Sequence, residues 1–297
     1  MALKRNRESG KRVIRKRNVI FKLIGIAIVV FILCGLNNKL TIRHYDIESD
    51  KFTGELRLAL ITDLHSCKYG EQQEKLIRAI DEQKPDLILM GGDIFDDDRD
   101  DELTNEFLSA VCDKYPCYYV TGNHECWAGA EKFRKQMTTL AKFGIMRLSG
   151  DTVEIPMGDS KIRLTGVDDP SVIGVWNCDT REEFTDHHAQ VRKLKNEMDE
   201  GVFTILLSHR PENIRIYAAG GFDLVLSGHA HGGQWRIPGI INGVYAPNQG
   251  LFPKYAGGKY EYDHTTMIVS RGLAKESTPI PRFYNPPELV IIDLHGR

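Results

Sequence analysis

Leu56-Arg57-Leu58-Ala59-Leu60-Ile61-Thr62-Asp63-Leu64-His65 is an apolar run that breaks into a polar island, and the pattern returns four more times along the chain. The other islands are Gly92-Asp93, Gly122-Asn123-His124-Glu125, Ser208-His209 and Gly228-His229-Ala230-His231; they follow or end the runs at 86–90, 117–120, 202–207 and 222–226. A short apolar run bounded by turn residues reads as a buried strand. In a parallel sheet, residues at the carboxyl ends of neighbouring strands converge on one crevice. The five islands together hold enough oxygen and imidazole donors for two metal ions.

Working outward, residues 71–84 place Leu76, Ile77 and Ile80 on one helical face and stop before Pro85. Further helices are expected at 101–113, at 130–143 ahead of Gly144, and as a long charged segment at 181–200 ahead of Gly201. Short β runs fall at 145–148, 152–155, 161–167, 266–270 and 289–294. Alternating βα units with added hairpins predict an α/β domain of two sheets pressed together with helices outside, an α/β/β/α sandwich.

Ahead of this domain, residues 1–18 carry eight Lys or Arg against one Glu, and residues 19–36 are apolar except for Lys22. Eighteen helical residues span roughly 27 Å, close to the hydrocarbon thickness of a bilayer. Lys22 lies one turn inside the edge, where its ammonium can reach the headgroups. The segment therefore reads as a transmembrane anchor, with the basic tail cytoplasmic and the catalytic domain outside the membrane. A cleaved signal peptide and a buried helix are the rivals, but a small-x-small cleavage pattern is missing around residues 34–38. Residues 37–53 read as a polar linker and 54–297 as the catalytic domain.

The first 36 residues hold nine basic and one acidic residue, which leaves 30 basic against 40 acidic in the body. A surface near −10 is a poor partner for nucleic acid, whose affinity comes largely from Lys and Arg on phosphates. Six cysteines make no readable framework. Cys67 and Cys126, each two residues beyond a site histidine, are expected in loops that meet.

Imidazole suits manganese, iron or zinc, whereas hard ions such as calcium prefer oxygen alone. Asp63, Asp93 and Asn123 with four histidines thus point to transition metals. Two such ions sit about 3.5 to 4 Å apart, bridged by a carboxylate, and suit in-line attack on phosphorus. A lone histidine is usually structural, which is the expectation for His44, His187, His188, His264 and His295; seven ligands in register are not coincidence.

The motifs D-x-H (Asp63, His65), G-D-x-x-D (Gly92, Asp93, Asp96), G-N-H-E (122–125), a lone histidine after a strand (His209) and G-H-x-H (228–231) resemble the calcineurin-like metallophosphoesterase superfamily. The tracts 228–234, 250–255 and 270–273 further resemble its membrane-associated bacterial branch, whose relatives include lipid-directed phosphodiesterases. The resemblance implies that Asp63, His65 and His231 bind one metal, Asn123, His209 and His229 the other, and that Asp93 bridges them. It implies two divalent ions, manganese favoured over iron or zinc, and water whose pKa they depress. His124 would contact the scissile phosphate and act on the leaving oxygen, while Asp96 and Glu125 would orient ligands. Phe95-Asp96-Asp97-Asp98 replaces the Asp-Arg-Gly of phosphoprotein phosphatases, and no tyrosine stands at position 96 as purple acid phosphatases would require.

Asp168, Trp176 and Arg271 are candidate substrate contacts. Residues 172–176 form an apolar loop, either a lid on the core or a lipid-facing surface, and 245–255 is a loop that lines the pocket. The expected function is a membrane-anchored phosphoesterase, a phosphodiesterase by preference, acting on a phosphate that is lipid-linked. The alternatives are an extracellular nucleotide hydrolase or nuclease with the same chemistry, and a non-catalytic membrane-tethered scaffold.

Overall fold

All five residues of the strand Leu87–Gly91 are buried because both of its faces are covered. Leu87 and Leu89 pack into one apolar cluster, Ile88 and Met90 into another. A strand roofed on both sides has no reason to alternate polar and apolar residues, which is why it reads as a continuous run.

The computed structural model describes residues 2–175, 186–275 and 280–297. The chain opens with α1 (Ala2–Gly35), β1 (Thr41–Ser49), β2 (Gly54–Ile61), α2 (Glu74–Gln83), β3 (Leu87–Gly91), α3 (Glu102–Cys112), β4 (Cys117–Val120), α4 (Asn123–Trp127), α5 (Ala130–Lys142) and β5 (Met146–Arg147). It continues through β6 (Asp151–Met157), β7 (Ser160–Gly166), α6 (Val172–Val175), α7 (His187–Asn196), β8 (Thr204–Leu207), α8 (Ile214–Gly220) and β9 (Leu224–Ser227). A small hairpin of β10 (Tyr245–Ala246) and β11 (Gly250–Leu251) precedes β12 (Gly258–Tyr262), β13 (Thr265–Val269) and β14 (Glu288–Gly296).

Two six-stranded sheets result, ordered β1-β14-β2-β3-β4-β5 and β12-β13-β9-β8-β7-β6. Strands β2 to β5 run parallel in the first; β7, β8, β9 and β13 run parallel in the second. Leu58, Leu60 and Leu89 face Ile205, Leu207, Leu224 and Leu226 between the sheets. Outside the first sheet Ala59, Ile61, Ile88 and Met90 pack with Leu76, Ile80, Phe107, Leu108 and Leu140 from α2, α3 and α5. Outside the second, Leu206, Val225 and Met267 meet Val191, Leu194, Ile214 and Tyr217 from α7 and α8. Each fully buried aliphatic side chain contributes roughly 1.5–3 kcal/mol, so three stacked apolar layers hold the sandwich. The layering is the expected α/β/β/α arrangement, with an apolar amino-terminal helix ahead of it.

Three expectations are corrected. Residues 37–53 are more than a linker: β1 pairs with β14 in parallel along nine residues, from Thr41 with Glu288 to Ser49 with Gly296. Only Ile47 of β1 is buried, so backbone pairing at a sheet edge, without an apolar pattern, defines it. The helix expected at 181–200 is shorter, α7, with His187, Gln190, Val191 and Leu194 buried on one face; residues 181–185 lie outside the described ones. The helix expected from residue 71 starts at Glu74, because Gln73 turns inward. Its side chain accepts from Tyr69 N at 2.7 Å and donates to the carbonyls of Cys67 and Leu103.

The five described cysteines are free. Cys67 and Cys126 form no bridge, and the thiols that lie together are Cys112 and Cys117, 3.7 Å apart. Cys178 lies outside the described residues.

Candidate metal centre

The two sheets deliver their polar islands to one place. Asp63 and His65 follow β2, Asp93 follows β3 and Asn123 opens α4 after β4, all in the first sheet; His209 follows β8, and His229 and His231 follow β9, all in the second. All these side chains are buried or nearly so.

Tight turns make the convergence possible. Asp63, His65, Asp93, His229 and His231 all have positive φ, between 46° and 65°. Non-glycine residues there are strained by about 1–3 kcal/mol each, a strain that clusters at functional sites. Gly92 and Gly122 allow the turns to interlock: a Cβ on Gly122 would lie 2.1 Å from Asp93 Oδ1, and one on Gly92 2.6 Å from His209 Nδ1.

Ligand atoms of Asp63, His65, Asp93 and His231 lie within 4.8 Å of one another, and so do those of Asp93, His209 and His229. Asp93 belongs to both groups. Its Oδ2 is 3.0 Å from His209 Nε2 and 3.7 Å from His65 Nε2. His229 Nδ1 lies 3.2 Å from His209 Nε2, and His231 Nε2 3.6 Å from Asp63 Oδ1. His65 Nε2, Asn123 Oδ1 and His231 Nδ1 are buried without a hydrogen-bond partner. Buried polar atoms are normally paired, and this set of lone pairs, soft enough for a transition metal, fits a pair of cations.

The electrostatics favour the same occupant. Burial raises Asp63, and the charge of Asp93 adds to it against the pull of His209. Burial also pushes Asp93 upward, but the charge and hydrogen bond of His209, with His65, drive it well below the carboxylate range. Burial would lower His209, yet Asp93 overrides it and lifts the imidazole to about 10. Burial and then the charges of His209 and Arg210 push His229 down to about 3. An ionised Asp93 beside a neutral His229 offers the deprotonated donors that a divalent cation needs.

Around the cluster stand the groups that hold it. Asp96 Oδ2 is 3.1 Å from His65 Nδ1; burial works against its charge, but that histidine keeps its carboxyl at about 2. Glu125 clamps backbone in place of a side chain, accepting the N–H groups of Gly122, Asp93, Ile94 and Phe95 at 2.7 to 3.1 Å. Burial, and then the charge of Asp93, raise it to about 7 against those donors. His124 donates its backbone N–H to Asp93 Oδ1 at 2.8 Å, while its Nδ1 meets Asp97 Oδ1 at 2.5 Å. Its ring stands edge-on to His65, centroids 4.3 Å apart. His209 Nδ1 is fixed by the Gly91 carbonyl at 2.8 Å.

Three contributors were not read from the sequence. Asp97 sits one residue beyond the motif aspartate. Arg210 pairs with Asp169 through Nε and Nη2, and its Nη1 lies 3.0 Å from His229 Nε2. Asn248, at the tip of the β10–β11 hairpin, places Oδ1 2.9 Å from that same nitrogen and also accepts from Arg210 Nη1 at 2.5 Å. The adjacency of Arg210 to His209 was the available signal; Asn248 had none, being 39 residues away from His209 and brought in by the hairpin alone.

The candidate substrate contacts fare differently. The Asp168 carboxylate is wholly buried, bound by Arg147 at 2.8 and 3.1 Å and by Thr121, Ser149 and Gln190. It has no face left for a substrate and acts as a strut, while its neighbour Asp169 faces Arg210. Arg271 is paired with Glu288, Nε to Oε2 3.4 Å. Trp176 lies outside the described residues; the part of its loop that is described is α6, with Val172 and Val175 packed on Cys126 and Phe133 and Ile173 exposed.

The model of calcineurin-like phosphoesterases matches residues 56–233, more than half of the chain and all five islands. The chain belongs to the calcineurin-like phosphoesterase family. A metallophosphoesterase of Campylobacter jejuni is 28% identical over 94% of this chain and 71% of its own length, and one of Aquifex aeolicus 29% identical over 87% and 93%. A phosphodiesterase of Escherichia coli, YaeI, is 28% identical over 65% of this chain and 64% of its own. Among solved structures, the NAD nucleotidase of Haemophilus influenzae superposes with a TM-score of 0.52 at 19% identity, covering 75% of this chain and 46% of that one. That likeness is of fold. This phosphoesterase spans about half the length of the nucleotidase it superposes on.

Proposed function

We propose that this phosphoesterase is a membrane-anchored phosphodiesterase with a two-metal centre, manganese preferred, in which Asp63, His65 and His231 hold one ion, Asn123, His209 and His229 the other, and Asp93 both. The observation that carries the reading is the membership of Asp93 in both ligand groups. Such ions supply an activated water and neutralise charge on the phosphoryl oxygens.

The chain's own groups do the rest. Asp97 accepts a hydrogen bond from Nδ1–H of His124, which aims Nε2–H of the imidazolium at the departing ester oxygen; that oxygen takes the Nε2 proton and neutral imidazole remains. Asp96 keeps the His65 ring turned so that Nε2 faces Asp93, as a carboxylate behind a ligating imidazole does. The Glu125 clamp locks the Asp93 and Asn123 loops together, so neither ligand reorganises when a phosphate enters. Residues 19–36 anchor the domain, with the basic amino terminus cytoplasmic and the site on the far side; Arg17–Gly35 is long and apolar enough to cross a bilayer and almost entirely exposed.

The test is turnover of bis(p-nitrophenyl) phosphate by the full chain loaded with manganese, beside metal stoichiometry by elemental analysis. Two ions per chain and loss of both ions and turnover in Asp93→Ala are expected. A variant that kept full activity, or a wild type that bound no metal, would overturn the reading.

A further inference from the structure

The foot of α1 is built into the edge of the site. Tyr284 donates its backbone N–H to the Gly35 carbonyl at 2.6 Å and its hydroxyl to the Phe31 carbonyl at 2.9 Å. The Phe31 ring meets Phe283 and Tyr284 at 5.7 and 4.9 Å, and Phe283 meets Trp235 at 5.6 Å. Gly35 admits this packing, since a Cβ there would strike the Phe283 ring at 2.2 Å. One residue further on, Asn285 donates to the His231 carbonyl at 2.6 Å and the Gln234 carbonyl at 3.3 Å. Two consecutive residues thus touch the anchor and a candidate metal ligand.

The axial position of this contact matters. Phe31 lies five residues before the end of the apolar stretch, roughly 7 Å along a helix axis. If residues 19–36 span the hydrocarbon, whatever packs on Phe31 sits at the membrane interface. Tyr284 and Trp235, packed on Phe283, are the residue types that favour that depth. The segment leaving Trp235 is apolar and outward: Ile240 is 80% exposed, Leu251 70% and Phe252 67%. It is no loose strand, because Ile237 bridges Ile241, Tyr245 pairs with Leu251, and Val244 N donates to Trp235 O. The same segment carries Asn248 to His229.

We infer that Trp235, Ile240, Leu251 and Phe252, with Phe283 and Tyr284, form a bilayer-docking surface that seats the mouth of the phosphoesterase site among lipid headgroups. This deepens the proposed function and rests on its anchor: the substrate class becomes phosphoesters held in the membrane, reached without leaving it. Apolar side chains fixed on a short, hydrogen-bonded loop lose little freedom on entering the interface, and area buried there adds to the hold of the helix.

The experiment uses the full chain in phosphatidylcholine–phosphatidylglycerol vesicles. Brominated phosphatidylcholine is expected to quench wild-type tryptophan fluorescence more than that of Trp235→Phe. The variant Ile240→Asp, which lies outside the pocket loop, is expected to hydrolyse a vesicle-embedded aryl phosphodiester lipid at least threefold more slowly, with soluble bis(p-nitrophenyl) phosphate turned over at the wild-type rate. Equal quenching in wild type and Trp235→Phe, or an equal loss on both substrates, overturns the docking surface. An alkaline carbonate wash separates the two levels: release of the chain overturns the anchor and the docking together, whereas retention without Trp235 quenching overturns the docking alone.

Discussion

The two sheets contribute unlike halves to one site. The first supplies Asp63, His65, Asp93 and Asn123, backed by the carboxylates of Asp96, Asp97 and Glu125. The second supplies three imidazoles and is backed by a cation, Arg210, itself neutralised by Asp169. The first half concentrates negative charge where metal ions and a general acid are needed. In the second, burial and then the charges of His209 and Arg210 keep His229 neutral, the form of imidazole that binds a metal, while His209 is drawn to Asp93. The difference teaches that an acidic wall and a cationic wall were brought to one seam, with Asp93 facing both.

The comparison breaks most severely at His124, the group of the first half proposed to meet the substrate. His124→Asn is expected to slow alkyl phosphodiesters by about 10²–10⁴-fold and p-nitrophenyl esters far less, since a good leaving group needs no proton. An equal loss on both leaving groups, measured in parallel steady-state assays, would remove the acid role.

The second half breaks at Arg210. Arg210→Met leaves the buried charge of Asp169 without its cation, held only by the Ser171 N–H, which costs about 3 kcal/mol in a chemical denaturation of the full chain. Burial opposes the charge of Asp169, but the Arg210 hydrogen bond and charge hold its carboxyl below its ordinary value. A depressed carboxyl contributes its stability above the unfolded pKa of about 4 and loses it as pH falls through the lower folded value. The gap between wild type and variant should therefore be full at neutral pH and close on acidification; a gap independent of pH would contradict the pairing.

Smaller effects sharpen the contrast. Asp97→Asn and Asp96→Asn each weaken an orienting carboxylate, with expected losses of about 10–100-fold. They should differ in kind: Asp96→Asn lowers metal occupancy, while Asp97→Asn leaves occupancy intact and lowers turnover. Elemental analysis beside the kinetics would tell them apart. Arg147→Met should do least, at about 1–3 kcal/mol, because Asp168 keeps Thr121, Ser149 and Gln190 as donors. A loss of turnover there without a loss of stability would return Asp168 to the substrate.

Legibility followed local physics. Strands β2, β3, β4, β8 and β9 could be read because burial on both faces leaves an unbroken apolar run with a polar ligand at its end. Strand β1 could not, because an edge strand held by backbone bonds to β14 imposes almost no side-chain pattern. Among site residues, Asp96 was visible from the spacing of its motif, whereas Asp97 was hidden by its neighbours in an acidic run, where only the direction of the backbone decides which carboxylate reaches His124. Asp168 misled because its position after β7 is right for a rim residue; Arg147, on the next sheet, turns it into a strut.

The sequence by itself determined the donor types, their order after successive strands and an apolar helix ahead of the domain, since each is written within a few adjacent residues. The tertiary structure alone decided which donors share a metal group, that Arg210 and Asn248 stand behind His229, and that Tyr284 ties the helix to the rim of the site. These pairings join residues from 19 to 253 positions apart. No local pattern records them, because a folded chain fixes distance between remote residues only when its sheets have closed on one another.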